Sequence, residues 1–128
     1  FRDFAPEVVA AFGPADVARL LADPGIVRNR AKIEATISNA GRFLELEAQS
    51  GSFATYLAGF VEHPPRRLPP EATRADVPAT SPGSDALATD LRRRGWRFTG
   101  STVVYAFMQA VGLVDDHLPT CYRYAGRP

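Results

Sequence analysis

The run VDDHLPTCYRY near the end of the chain holds the residues best suited to bind a metal. Cys121, the only cysteine, follows His117, one of two histidines, by four residues. Thiolate and imidazole groups both bind zinc, but a structural zinc site has four ligands. The spacing alone therefore leaves two interpretations open: part of a zinc site, or a buried Cys121 beside a hydrogen-bonded surface His117.

The titratable residues near this pair do not complete a ligand set by their spacing. His63 lies beside Pro64 with no partner at ligand spacing, so we interpret it as a solvent-exposed histidine. Asp115 and Asp116 precede His117, but adjacent side chains diverge in a helix or a strand, which argues against shared acid–base chemistry. We expect these carboxylates to cap a helix, with orientation of His117 by one of them as the alternative.

A second group of residues could bind an anion. Four arginines stand within six residues, at positions 92, 93, 94 and 97, and a Gly-Ser-Thr sequence follows at 100–102. Glycine allows backbone conformations closed to other residues, and the first N–H groups of a helix lack partners within it. Such a turn suits a phosphate oxygen, although a solvated charged face is the simpler alternative. The predicted DNA-binding residues are Arg94, Gly95, Arg97, Gly100, Ser101 and Thr102.

The elements that carry these residues are predicted to be helices, because no stretch shows sustained period-two alternation. GPADVARLLADPG predicts a short helix with Pro14 in its first turn. The longest helix is expected in IVRNRAKIEATISNAGRFLELEAQSG, with Ile33, Ile37, Ala40, Phe43 and Leu44 on its apolar face.

Three further helices are predicted around the arginine cluster. Ser52 is expected to cap the helix in SFATYLAGFV, whose aromatic residues we interpret as core. Ser84 is expected to cap DALATDLRRRG, and STVVYAFMQAVG follows after a short Gly-bounded turn. The last two helices form a predicted helical hairpin, so the chain is interpreted as an all-α, compact helical domain.

Composition sets limits on the class of protein. The 128 residues are 45% hydrophobic and 23% charged, which fits one soluble domain over 1–128. The net charge of +1 excludes a uniformly basic nucleic-acid wrapper, so a DNA contact needs local clustering. Residues 61–83 hold six of the eleven prolines and are predicted to be an irregular connection, with a domain linker as the alternative.

The cysteine content and the apolar runs bear on the cellular location of the protein. One cysteine makes no internal disulfide, and no early apolar run resembles a signal peptide or a membrane span. We therefore expect a cytoplasmic protein without a membrane partner. The first residue is Phe1, within a sequence typical of the middle of a domain, so we expect an N-terminally incomplete chain.

Three stretches resemble the bacterial DNA-3-methyladenine glycosylase I family of the helix-hairpin-helix glycosylase superfamily. They are GIVRNRAKIEATISNA, TSPGSDALATDLRRRGWRFTGSTVVYAFMQAVGLV and DDHLPTCYRY, in this order. The resemblance implies an enzyme of base-excision repair that flips 3-methyladenine out of double-stranded DNA and excises it. Its hairpin would bind the DNA backbone, and we expect a monomer.

The resemblance also bears on the metal and on catalysis. It implies a zinc ion bound by two Cys and two His, with His117 and Cys121 as the C-terminal pair. STVVYAFMQAVG has no acid, which agrees with a family whose cationic base is already a good leaving group. We expect the segment that would supply the other ligands and the base pocket to lie outside this chain, so no catalytic residue is assigned and this chain alone is expected to be inactive.

Two other classes of function remain open at this point. The first is a non-catalytic helix-hairpin-helix DNA-binding module, which would share RGWRFTGST with the enzyme. The second is a purely structural helical domain, which would not need the arginine cluster for DNA binding.

Overall fold

The structure is a computed structural model that describes residues 1–61, 65 and 67–124. Six α-helices lie within these residues. In chain order they are α1 (Pro6–Ala10), α2 (Pro14–Ala22), α3 (Arg30–Ser50), α4 (Phe53–Ala58), α5 (Pro82–Arg93) and α6 (Ser101–Ala110). Over the same ranges, the only strand-like pairing is an isolated parallel bridge between Arg67 and Asp115. The predicted all-α fold is therefore confirmed.

The ends of the early helices follow from local side chains. Pro14 begins α2, and the Asp16 carboxylate accepts a hydrogen bond from the Gly13 N–H at 3.2 Å. Arg19 and this N–H together hold the pKa of Asp16 below its ordinary value. Asn29 caps α3, the longest helix at 21 residues, by accepting from the Lys32 N–H. Ser52 caps α4 by accepting from the Thr55 N–H at 3.0 Å, as predicted.

The start of α5 differs from the prediction. The helix begins at Pro82, and Ser81 rather than Ser84 is its capping residue, since the Ser81 hydroxyl accepts from the Ser84 N–H. Ser84 lies in the first turn and is fully buried. The Ser-Pro pair at 81–82 indicates the observed start of α5, because proline favours the first helical position after a serine cap.

The contacts divide the chain into two units. The first unit comprises Phe1–Tyr56 and Leu91–Thr99, in which α1 and α2 pack on α3. Its buried apolar side chains are Val9, Leu20, Ile33, Ala35, Leu46 and Leu91. The predicted apolar face of α3 is only partly correct, because Ile33 is buried whereas Ile37, Ala40, Phe43 and Leu44 are half-buried.

The second unit comprises the described residues of Leu57–Asp90 and Gly100–Pro128. Its buried apolar side chains are Leu57, Leu68, Leu87, Ala88, Val104, Tyr105 and Met108. Gly83 permits a close backbone approach, since a Cβ atom there would lie 2.3 Å from the Phe60 carbonyl oxygen.

The Pro-rich connection at 61–83 is irregular over most of its described part. It contains a 3-10 turn, Arg74–Asp76, before α5 begins. The Thr73 N–H and hydroxyl both donate to Asp76 and hold its pKa below the ordinary value. His63 lies outside the described residues. No helix in the described ranges has the length and apolar composition needed to cross a membrane.

Candidate functional site

The chain leaves α5 through a glycine turn that belongs to the first unit. The Gly95 N–H donates to the Arg92 carbonyl at 2.9 Å, and the Trp96 N–H donates to the Leu91 carbonyl at 3.0 Å. This pair of bonds is the Schellman motif, which needs a left-handed residue at the position of Gly95. Gly95 has φ +85°. The predicted special conformation of Gly95 is therefore confirmed.

We call residues 94–99 the hairpin turn, and its two predicted DNA-binding arginines differ. The Arg94 guanidinium donates to the Gln49 side chain at 3.0 Å and lies 5.3 Å from the centre of the Tyr56 ring. Arg97 is exposed, and no hydrogen bond or ion pair of its guanidinium is found among the described residues. Arg94 therefore stabilises the turn, whereas Arg97 offers its charge to solvent.

The hairpin turn is anchored by an aromatic side chain. The Trp96 ring stacks on Phe53, with centroids 6.0 Å apart, and Phe53 contacts both Phe43 and Tyr56. The Trp96 indole N–H is buried without an acceptor among the described residues. Packing therefore holds the ring, with the geometry that aromatic pairs favour.

One side chain of α3 bonds to the backbone of the hairpin turn. Asn39 accepts from the Arg97 N–H at 3.0 Å and donates to the Arg97 carbonyl at 2.9 Å. The next residue, Phe98, has φ +58° and is 54% exposed. No local sequence pattern predicts this role of Asn39, because it lies 58 residues before Arg97.

The start of α6 belongs to the second unit and leaves its first N–H groups without a side-chain cap. Gly100 is the N-cap residue, with φ −68° and ψ 156°. Any residue adopts this conformation, so Gly100 does not use the conformational freedom that was expected of it. A Cβ atom there would meet nothing within 4 Å, so the space beside Gly100 is open.

The Ser101 side chain is already engaged within the second unit. Its hydroxyl donates to the Asp85 carboxylate and lies 2.9 Å from the Ser84 hydroxyl. Thr102 is exposed. Ser101 therefore offers its backbone N–H to a partner more readily than its hydroxyl.

His117 and Cys121 lie together in the second unit. The His117 Nδ1 atom is 3.7 Å from the Cys121 Sγ atom. Zn–S bonds of about 2.3 Å and Zn–N bonds of about 2.0 Å at a tetrahedral angle place the two ligand atoms about 3.5 Å apart. The pair therefore fits one zinc ion, but the described part of the chain holds no group of three or more potential metal ligands.

Asp115 and Asp116 point to different neighbours, as expected for adjacent residues. The Asp115 carboxylate pairs with the Arg67 guanidinium at 2.9 Å and accepts from the His117 N–H at 3.4 Å. The Asp116 carboxylate accepts from the Tyr105 hydroxyl at 2.7 Å and from the Gln109 side chain at 2.8 Å. The expectation that they cap a helix is wrong, since both carboxylates hold the segment around His117.

A positively charged side chain, Arg123, follows Cys121 by two residues. The Arg123 guanidinium donates to the Tyr122 hydroxyl at 3.1 Å, and this bond raises the pKa of Arg123 above its already high ordinary value. Arg123 is therefore positive at every pH at which the protein would be studied.

The chain is similar to proteins of one family along nearly its whole length. The family model for methyladenine glycosylase matches residues 1–124. DNA-3-methyladenine glycosylase 1 of Escherichia coli (strain K12) is 42% identical over 126 residues, which cover 98% of this chain and 67% of that protein. DNA-3-methyladenine glycosylase of Haemophilus influenzae is 38% identical over 121 residues, which cover 94% of this chain and 65% of that protein.

Solved structures agree with these relatives. A crystal structure of 3-methyladenine DNA glycosylase I matches with a TM-score of 0.90 at 44% identity, covering 97% of this chain and 68% of that one. The Staphylococcus aureus enzyme, whose recognition of 3-methyladenine has been studied structurally, matches with a TM-score of 0.90 at 34% identity, covering 100% of this chain and 68% of that one. The chain spans about two thirds of the length of the curated relatives. It belongs to the methyladenine glycosylase family.

Proposed function

We propose that the protein containing this chain is a DNA repair N-glycosylase that flips out and excises 3-methyladenine from alkylated DNA. This chain would carry the DNA-binding hairpin and half of a zinc site. Membership of the family and the names of the relatives support the activity. The partner would be double-stranded DNA containing alkylated adenine, and the protein would act in the cytoplasm as a monomer.

The observation that carries the DNA-binding role is the uncapped start of α6, and the exposed Arg97 of the first unit supports it separately. Uncapped N–H groups and the positive end of the helix dipole attract a phosphate oxygen. Gly100 places no side chain over these groups. Phosphate contacts fix the position and register of a protein on DNA without reading its sequence.

The six residues predicted to bind DNA would divide into two roles. Arg97, Gly100, Ser101 and Thr102 would contact the DNA backbone, with Ser101 acting through its N–H. Arg94 and Gly95 would shape the hairpin turn, because the Arg94 guanidinium is held by Gln49 and Tyr56. Gly95 supplies the left-handed residue that ends α5.

The chemistry proposed needs little help at the leaving group. In a DNA nucleotide carrying 3-methyladenine, the base is cationic, so cleavage of the bond to the sugar releases a neutral base. Water adds to the sugar carbon and loses a proton to solvent. Extrusion from the helix is required first, because the reacting bond is sheltered within the base stack. We assign no residue of this chain to the cleavage step.

His117 and Cys121 would supply half of a structural zinc site. Their separation of 3.7 Å fits two ligands of one tetrahedral ion. A bound zinc ion would fix the segment that carries them and stabilise the fold. The remaining ligands would come from outside the described residues, and His63 is the first position in this chain to test.

The activity is tested by release of 3-methyladenine from methylated DNA, using the protein that contains this chain. We expect catalytic release. Binding of DNA without release would favour a non-catalytic helix-hairpin-helix module instead.

The hairpin is tested by Arg97→Glu, with Arg28→Glu as a control of equal charge change. We expect Arg97→Glu to weaken binding to methylated duplex DNA by about tenfold or more at low salt. The salt slope, which is the steepness of the fall of log K with log salt concentration, should decrease by about 0.9. Arg28→Glu should change both much less. Equal DNA affinity for wild type and Arg97→Glu would contradict the role of the hairpin.

The zinc proposal is tested by elemental analysis of purified protein. We expect about one zinc per protein and a marked loss in His117→Ala and Cys121→Ser, together with a lower thermal midpoint. Parallel analysis of His63→Ala shows whether that residue completes the site. Unchanged zinc content in both His117→Ala and Cys121→Ser would exclude the pair as ligands.

A further inference from the structure

The strongest polar contact that the proposed function leaves unexplained is the pair of bonds between Asn39 and Arg97. Asn39 lies on α3 and is half-buried, between Ser38 and Ala40. Asparagine is a poorer helix former than alanine, since its side chain competes for backbone hydrogen bonds. Here the amide bonds to the backbone of a residue 58 positions later, at 2.9 and 3.0 Å.

The side-chain type matters to this contact. A primary amide has both a donor and an acceptor, and Asn39 uses one for each backbone group of Arg97. Aspartate at this position offers acceptors only, and alanine offers neither. Among short side chains, asparagine therefore satisfies both groups of Arg97 at once.

The contact fixes a turn that carries backbone strain. Phe98 follows Arg97 with φ +58°, a left-handed region that is unfavourable for a residue with a Cβ atom. Its ring is 54% exposed, so burial of the ring does little to offset this strain. Release of the Arg97 backbone would allow Phe98 to relax to negative φ and would redirect the Arg97 side chain.

We propose that Asn39 is a positioning residue for DNA binding, which holds the Arg97 backbone so that the Arg97 guanidinium faces the phosphate. This inference rests on the proposed role of the hairpin in DNA binding. Asn39 itself would not touch DNA. It would act through Arg97 and the strained Phe98.

The test compares Asn39→Ala, Asn39→Asp and Asn29→Ala in the protein that contains this chain. Asn29→Ala is the matched control, because it removes an asparagine from the same helix and loses the α3 cap without touching the hairpin turn. Binding to methylated duplex DNA is measured over a range of salt concentrations, and thermal unfolding is measured in parallel.

We expect Asn39→Ala and Asn39→Asp to weaken DNA binding by about tenfold and to lower the salt slope by about 0.9, the value of one phosphate contact. A purely structural role would reduce the folded fraction but leave the salt slope unchanged. Asn29→Ala should lower the thermal midpoint and keep the slope. Asn39→Asp is included because aspartate is similar to asparagine in size and shape, so the test remains possible if Asn39→Ala does not fold.

Two outcomes separate this inference from the proposed function. If Arg97→Glu weakens binding while both Asn39 variants keep the wild-type affinity and slope, the positioning role is wrong and the hairpin role stands. If Arg97→Glu also leaves binding unchanged, the hairpin role itself is wrong.

Discussion

The hairpin turn at 94–99 and the C-terminal segment at 115–121 are both short, irregular and held by polar contacts, but the contacts are supplied differently. Side chains from distant parts of the sequence hold the hairpin turn. Asn39 bonds to its backbone, and Gln49 and Tyr56 contact the Arg94 guanidinium. The C-terminal segment uses its own carboxylates, with Asp115 on Arg67 and Asp116 on Tyr105 and Gln109.

This difference determines what each segment can offer to a partner. Few side chains of the hairpin turn contribute to holding it in place, so Arg97 and Phe98 remain exposed. The C-terminal segment commits both carboxylates, and His117 and Cys121 are the two residues proposed to bind zinc. The hairpin turn therefore supplies Arg97 for the proposed DNA contact, whereas the proposed zinc pair would need further ligands.

Asp116→Ala should give the largest effect, because it tests the internal support of the C-terminal segment. Removal of the carboxylate takes away an acceptor of the hydroxyl of the buried Tyr105 and of the Gln109 amide. We expect a loss of about 2–3 kcal/mol in the free energy of unfolding, measured by urea denaturation. Asp116→Asn keeps one acceptor oxygen, so its free energy of unfolding should fall by less. Equal stability of Asp116→Ala and wild type would contradict this account.

Gly95→Ala and Gly100→Ala should separate stability from binding at the two ends of the hairpin. Gly95→Ala forces a Cβ atom into a left-handed conformation and should lower the free energy of unfolding by about 1–2 kcal/mol. Gly100→Ala meets no steric contact within 4 Å, so it should largely keep stability but weaken DNA binding, because its methyl group would occupy space that is open to a phosphate. Denaturation and DNA titration measure the two effects, and a loss of stability without a loss of affinity in Gly100→Ala would overturn its assigned role.

Arg67→Ala should have the smallest effect and tests whether the surface ion pair matters to the C-terminal segment. The Arg67 side chain is 54% exposed, and exposed pairs contribute little after solvent screening. We expect a change below about 1 kcal/mol in the free energy of unfolding. Arg30→Ala, which removes another exposed pair, is the control. A much larger loss in Arg67→Ala would show that Asp115, like Asp116, is essential to the segment.

The parts of the site that sequence analysis predicted depend on neighbours in the chain. The turn at Gly95 and the closeness of His117 to Cys121 follow from residues a few positions apart. Helix periodicity also predicted the all-α class and the longest helix.

The parts that it missed depend on distant residues or on backbone angles. The Asn39 bonds join positions 58 apart, and the Ser101 hydroxyl is occupied by Asp85, 16 positions earlier. The backbone angles of Gly100 are common to all residues, so its glycine says nothing about its conformation. The actual role of Asp116 was missed because its partners Tyr105 and Gln109 lie on the preceding helix, and no local motif links them to Asp116.

The long sequence separation of the Asn39 contact bears on the order of folding. The hydroxyl contact between Ser84 and Ser101 closes a loop of 17 residues, whereas the contact between Asn39 and Arg97 closes one of 58. Loop closure grows less favourable in entropy with length, and local contacts tend to form first. We therefore expect α5 and α6 to meet early along the folding pathway, and the turn between them to reach its final conformation only when α3 arrives.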